Sequence, residues 1–232
     1  MATTTRVSSG MTGFDKLVQG GFKQGSINLL CGGPGAGKTT MVIQFLIEGL
    51  KKGEAGIYIT FEEKKDKLYA DMLEFGWDLQ HYEDAGIFKF LEYTPEQVKR
   101  VLVEGGGTID VIITQMKAKR LVIDSITSFS MLFQDELTKK ESSLALFELI
   151  NRWGCTAFLT SQAAQMSDEH TTAQLQFEVD SIIILYHFRK KGVRYRAIEI
   201  LKMRGTRTPE ETYKVELTSK GVIVDPAKVV NI

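Results

Sequence analysis

The sequence predicts an α/β fold, with a mostly parallel central sheet flanked by helices and antiparallel strands added at its C-terminal end. Three observations predict it. Short apolar runs alternate with stretches of helical spacing between Ser26 and Thr160, the pattern of right-handed βαβ units that build a parallel sheet. A glycine-rich loop, Gly32 to Thr39, joins the first apolar run to the first helical stretch. From Ser181 onward helical spacing gives way to strands separated by tight turns.

Ser26–Cys31 is an apolar run that ends in the glycine cluster. Thr39–Lys52 then reads as an amphipathic helix, with Met41, Phe45 and Leu46 on one side and Ile43 and Ile47 beside them. Gly53 suits the residue just past its end, where left-handed backbone closes a helix. Gly56–Phe61 is a strand rich in Ile and aromatics. Lys64–Phe75 is a second helix, stopped by Gly76, and Ile87–Leu91 a weaker strand. Pro95 suits the first turn of the next helix, which Gly105-Gly106-Gly107 interrupts before Ile109–Lys117 resumes. Arg120–Asp124 is a buried strand, Glu136–Trp153 a long amphipathic helix and Thr156–Thr160 another strand. Ser161–Gln176 lacks a period and reads as a loop. Ser181–Phe188, Arg194–Met203, Tyr213–Leu217 and Val222–Val224 are strands, with Lys190-Lys191-Gly192 as a hairpin turn.

At 232 residues, with 43% hydrophobic and 25% charged side chains, the chain has an ordinary globular composition and the length of a single domain, 1–232. Lys+Arg and Asp+Glu both number 29. That balance excludes a protein coated in positive charge for non-specific polyanion binding. Cys31 and Cys155 lack metal-ligand spacing and read as buried, reduced thiols of a cytoplasmic protein. No run approaches the roughly 18 apolar residues of a membrane span, and the first residues lack the apolar stretch of a secretory signal.

Gly32-Gly33-Pro34-Gly35-Ala36-Gly37-Lys38-Thr39 fits G-x-x-x-x-G-K-[ST], between an apolar strand and a helix. Small residues let backbone N–H groups wrap phosphate oxygens. Lys38 supplies a charge for the β- and γ-phosphates, and the Thr39 hydroxyl sits at the helix N-terminus, where it can hold Mg²⁺. Gly33, Pro34, Gly35, Ala36, Gly37, Lys38, Thr39 and Thr40 are therefore candidate nucleotide contacts. Leu121-Val122-Ile123-Asp124 ends an apolar strand in a carboxylate, at the sheet edge where ligands bind, so Thr39 and Asp124 are candidate metal supports. Glu62 and Glu63 follow another strand. As neighbours on a strand face opposite ways, the sequence leaves open which one faces the site, and a solvated charged run remains the plainer reading.

Lys202-Met203-Arg204 puts two cations on one strand face. Either they are solvated, or they reach the phosphate site of a neighbouring subunit as an arginine finger does. Arg189, Lys190, Lys191, Arg194 and Arg196 surround the Gly192 turn as an exposed basic hairpin, which keeps a nucleic-acid contact open. The loop bearing Asp168, Glu169 and His170 counts against one.

Six motifs follow in order. They are Ser9-Gly10-Met11-Thr12-Gly13-Phe14-Asp15-Lys16-Leu17 with Gly20-Gly21 and Gly25-Ser26, the glycine loop, Thr60-Phe61-Glu62-Glu63, Phe75-Gly76-Trp77-Asp78-Leu79, Val122-Ile123-Asp124-Ser125 and Lys202-Met203-Arg204-Gly205-Thr206. In order and spacing, over nearly the whole chain, they resemble the KaiC-like branch of the RecA ATPase superfamily. The resemblance implies a RecA-like P-loop core, ATP with Mg²⁺ as ligands, and a hexameric ring with ATP between subunits. It implies that Glu62/Glu63 activate water, that Lys202 and Arg204 reach the neighbour's γ-phosphate, and that Met203, Thr206 and Thr218 line the nucleotide on that side. Lys38, Glu62, Glu63 and Arg204 are then the catalytic set. The chain departs from the circadian clock members in having one such domain. It carries Gln176-Phe177 where their autokinase domain has adjacent Ser and Thr, and Thr208 where they have His.

The expectation is a Mg²⁺-dependent ATP-binding protein with slow turnover, acting as a ring-forming regulatory or scaffold module. Its rivals are a recombinase-type accessory protein on single-stranded DNA and a nucleotide-gated signalling module with little turnover. The sequence names no protein client.

Overall fold

The computed structural model describes residues 5–162 and 178–232. Asp168, Glu169, His170 and the Gln176-Phe177 pair lie outside the described residues, as does most of the expected Ser161–Gln176 loop. A short antiparallel ribbon of β1 (Arg6–Val7) and β2 (Phe22–Lys23) brackets α1 (Phe14–Leu17). There follow β3 (Ile27–Gly32), α2 (Lys38–Lys51), β4 (Gly56–Thr60), α3 (Lys65–Leu73), α4 (Leu79–Asp84) and β5 (Phe88–Glu92). Then come α5 (Pro95–Val103), α6 (Gly107–Met116), β6 (Arg120–Asp124), α7 (Ile126–Ser130), α8 (Glu136–Trp153) and β7 (Thr156–Ser161). The chain ends with β8 (Ser181–Lys190), β9 (Val193–Met203), β10 (Tyr213–Thr218) and β11 (Gly221–Val229).

Among the described residues the main sheet has nine strands, in the order β11-β10-β9-β8-β3-β7-β6-β4-β5. β8, β3, β7, β6, β4 and β5 run parallel, and β9, β10 and β11 extend the sheet antiparallel from β8. The period-two alternation of side chains divides the core. Leu30, Tyr58, Val122 and Phe158 face α2, whereas Leu29, Ile57, Leu121 and Ala157 face the layer containing α6 and α8.

The helix α2 differs from the expected one-sided helix. Ten of its 14 residues are buried, because the N-terminal segment and β11 cover the flank turned away from the sheet. Gln44 makes that cover specific. Its Nε2 donates to Gly10 O at 2.8 Å, and its Oε1 accepts from Val222 N at 2.7 Å. The Ser9–Leu17 motif is the clasp itself: Asp15 accepts from Ser9 N at 3.1 Å, and Thr12 O accepts from Val224 N at 2.9 Å. Arg120 is 1% exposed. It donates to Phe45 O at 2.7 Å and Ser8 O at 2.9 Å, pairs with Glu54 at 2.7 Å, and stacks over the Phe45 ring.

Besides the four-residue α1, two short helices, α4 and α7, were not expected. Each is less than two turns long, too short to show a period, and each is capped instead: Asp78 accepts from His81 N and Ser125 from Ser128 N. Glu104, Gly105 and Gly106 separate α5 from α6, and Gly105, Gly106 and Gly107, the first residue of α6, are all at positive φ. Strand β11 runs beyond the expected Val222–Val224, through Pro226. A proline is tolerated there because it falls in the irregularity between the Asp225 and Val229 pairings, where no β10 residue is registered opposite it.

Candidate nucleotide-binding site

The loop Gly33–Gly37 leaves the carboxyl end of β3 and enters α2 at Lys38. Gly35 (φ +71°) and Gly37 (φ +103°) adopt left-handed backbone, which costs glycine little and other residues more. Ala36 N–H spans the turn to Gly33 O at 3.3 Å. Ala36 and Thr40 are buried and seat the loop on the core. Lys38 Nζ folds back to donate to Gly32 O at 2.7 Å and Gly33 O at 3.1 Å. Burial pushes its pKa below the usual lysine value, while the nearby charge of Asp124 acts in the opposite sense.

Asp124, at the end of β6, meets the loop. Its Oδ2 accepts from Thr39 Oγ1 at 3.0 Å and from Tyr58 OH at 2.8 Å, and its Oδ1 accepts from Thr160 Oγ1 at 2.5 Å. Hydroxyls from α2, β4 and β7 thus hold both carboxylate oxygens, and the one from α2 ties Asp124 to the residue that follows the loop lysine. Burial first, then the charge and hydrogen bond of Asp124, hold the Tyr58 phenol well above its usual pKa, so it is a neutral donor at ordinary pH. A hydroxyl and a carboxylate at a phosphate loop are the hard oxygen donors that suit Mg²⁺, which takes its remaining ligands from water and phosphate.

Glu62 and Glu63 continue from β4 beside this cluster. Their backbone N–H groups both donate to Thr60 Oγ1, at 3.2 and 3.0 Å. The Glu62 carboxylate accepts from Ser128 Oγ of α7. Glu63 lies close enough to Tyr58 for its charge to help raise the phenol pKa.

Lys202, Met203, Arg204 and Thr206 do not join this group within one chain. Met203 pairs with Ser181, which pairs with Asn28 near the start of β3. At about 3.3 Å per residue, the four steps from Asn28 to Gly32 put them roughly 13 Å down the strand direction from the loop, at the opposite edge of the sheet. There Lys202 Nζ donates to Val179 O at 2.9 Å, Arg204 stands 4.0 Å from Asp180, and Thr206 Oγ1 accepts from Arg6 at 2.9 Å. Within the chain Thr218 lies apart from them. β10 runs antiparallel to β9 and carries Thr218 toward the phosphate-loop edge, where its hydroxyl donates to Gly221 O at 3.0 Å.

Sequence reasoning missed Tyr58, Thr160 and Ser128. A signal existed for the first two, since polar groups near the carboxyl ends of otherwise apolar strands stand where a ligand-facing carboxylate needs support. It also treated Arg196 as part of an exposed hairpin, but Arg196 Nε donates to Gly35 O at 3.0 Å.

A phosphate loop at the carboxyl edge of a parallel sheet, with an acidic strand end beside it, defines a RecA-like nucleotide-binding module. The family description "ATPase: KaiC" matches residues 7–229, and the chain belongs to the KaiC-like ATPase family. A UPF0273 protein of Pyrococcus horikoshii is 33% identical, over 97% of this chain and 96% of that protein. Circadian clock protein KaiC3 of Synechocystis is 29% identical over 98% of this chain, which spans 47% of its length. The crystal structure of a KaiC-like protein from the hyperthermophilic archaeon Pyrococcus horikoshii superposes with a TM-score of 0.87 at 34% identity, covering 97% of this chain and 100% of that one. Family membership and geometry together support an ATP-binding module. Among the described residues no helix is long and apolar enough to cross a membrane.

Proposed function

We propose that this chain is a Mg²⁺-dependent ATP-binding protein with slow ATPase turnover, working in the cytoplasm as a single-domain subunit of a hexameric ring with a regulatory or scaffold role. The observation that carries the reading is the 3.0 Å contact of Thr39 Oγ1 with Asp124 Oδ2, which brings the phosphate loop and the acidic strand end to one point. Two buried free thiols support a reducing compartment.

In this reading the amides of residues 33–40 bind the triphosphate. Lys38 leaves the Gly32 and Gly33 carbonyls to pair with phosphate oxygens. Bound Mg²⁺ supplies charge neutralisation at the β- and γ-phosphates, and Thr39 and Asp124 are the residues that would hold it, with Tyr58 and Thr160 keeping Asp124 in place. Glu62 or Glu63 orients the attacking water and accepts its proton. Lys202 and Arg204 act on the phosphate held by the neighbouring subunit. Their place at the opposite sheet edge supports this, because a group that cannot approach its own loop can meet the next one in a head-to-tail ring. Met203, Thr206 and Thr218 accompany them and line the nucleotide on that side.

The test is phosphate release from ATP by the purified protein and by Lys38→Ala. The variant is expected to fall to background, and equal rates reject the reading.

A further inference from the structure

The hairpin of β8 and β9 does more than extend the sheet. β8 pairs with β3 in a register that sets Leu185 opposite Gly32. Tyr186 and the residues after it therefore outrun the sheet edge and rise beside the phosphate loop. His187 and Arg196 are a cross-strand pair on one face of this overhang, and both touch the loop tip. Arg196 Nε–H donates to Gly35 O at 3.0 Å. His187 Nδ1 lies 3.4 Å from Pro34 O; a carbonyl only accepts, so in that contact Nδ1 carries the hydrogen. The imidazole also packs tightly on Gly35, since a Cβ added there would lie 3.3 Å from Nδ1.

In a trans peptide the N–H points away from the C=O. The two carbonyls drawn toward the hairpin belong to the peptide units that carry the Gly35 and Ala36 N–H groups. Both N–H groups are consequently turned away from the hairpin and into the concavity of the loop. Ala36 N–H reaches across that concavity to Gly33 O at a long 3.3 Å. A glycine-rich loop without outside ties would sample many orientations of these peptides, and a ligand would have to order them as it bound. We propose that Arg196 and His187 are positioning residues, holding the tip of the phosphate loop with its amides directed at a polyphosphate before the ligand arrives. This inference rests on the nucleotide-site reading above and adds to it a preorganised grip that acts on the phosphate tail rather than on the base.

The test uses the full chain, with inorganic tripolyphosphate and ATP as calorimetric ligands and amide hydrogen exchange of the ligand-free protein as a second readout. Arg196→Ala is expected to weaken both ligands by about fivefold, the loss of one modest hydrogen bond. Exchange at Ala36, the loop amide held by Gly33 O, should quicken, with exchange in β8 and β9 unchanged. Arg196→Lys should not restore affinity, because an ammonium keeps the charge without placing an N–H where Nε stood. Full rescue by lysine overturns the proposal in favour of plain charge attraction, and unchanged loop exchange in Arg196→Ala overturns it outright. Should Arg196→Ala loosen the hairpin itself, His187→Phe keeps a ring against Gly35 while removing the donor. It should quicken loop exchange in the same direction, by a smaller factor because its contact is longer, and no change there counts against the tie. Wild-type protein that binds neither ligand would reject the nucleotide site. Loop exchange in the ligand-free protein would still decide whether the tie exists.

Discussion

Tyr58→Phe isolates one hydroxyl in the hydroxyl cage around Asp124. The phenol is fully buried and donates to Asp124 Oδ2 at 2.8 Å. Phenylalanine keeps the ring in its place, stacked on Phe90, so the change removes a hydrogen bond and opens no large cavity. A bond to a charged acceptor contributes about 1.5–3 kcal/mol. For a domain of this size each kcal/mol moves the melting temperature by roughly 2–4 °C, so about 2 kcal/mol predicts a drop of about 4–8 °C. Asp124 keeps Thr39 and Thr160, and the fold survives. Two further readouts bear on the mechanism of the change. The unfolded phenol ionises near pH 10, whereas burial and Asp124 hold the folded one neutral well above that. Tyr58 therefore contributes stability that is complete below about pH 10 and is lost as pH rises beyond it, and the variant should lose stability less steeply there. In calorimetry, the gain in ATP affinity on adding Mg²⁺ should shrink, while affinity in EDTA stays as in wild type. Circular dichroism melts at neutral and alkaline pH check the first two claims. A melting temperature within about 1 °C of wild type, with the same alkaline slope, would refute the reasoning.

Two other predictions follow from the geometry. In the proposed arrangement between subunits, Arg204→Ala and Lys38→Ala would each remove a different half of the site, so mixing the two proteins should recover part of the phosphate-release activity that each has lost; mixed assemblies that form without any recovery would reject action between subunits. Arg120→Ala should be among the most damaging single changes, because it takes the donor from Phe45 O and Ser8 O at once and empties the buried space beside the Phe45 ring, while the partly exposed Glu54 turns to water. Hydrogen bonds from a charged donor contribute about 1.5–3 kcal/mol each, so losing the two carbonyl bonds costs roughly 3–6 kcal/mol, read as a melting temperature lowered by about 6 °C or more.

Much of this molecule is legible one residue at a time. The parallel strands announce themselves as apolar runs because helices cover both faces. The phosphate loop is contiguous, so its glycines, Lys38 and Thr39 are visible as a pattern whose backbone demands are local. Asp124 is visible as an acid ending an apolar strand. What needs the tertiary structure is whatever depends on which strands become neighbours. Placing β6 between β4 and β7 brings Tyr58 and Thr160 to Asp124 from 66 and 36 residues away in the chain. The parallel register of β8 on β3 sends the hairpin past the sheet edge and turns Arg196 from an apparent surface cation into a partner of Gly35. The direction of β9 carries Lys202 and Arg204 away from their own loop, and the return of β10 carries Thr218 back toward it. Local propensity and motif spacing encode conformation along the chain. Strand order and register are settled by burial of whole faces, a cooperative choice over distant segments, and it is that choice that assembled the carboxylate cage and parted the basic pair from the phosphate loop.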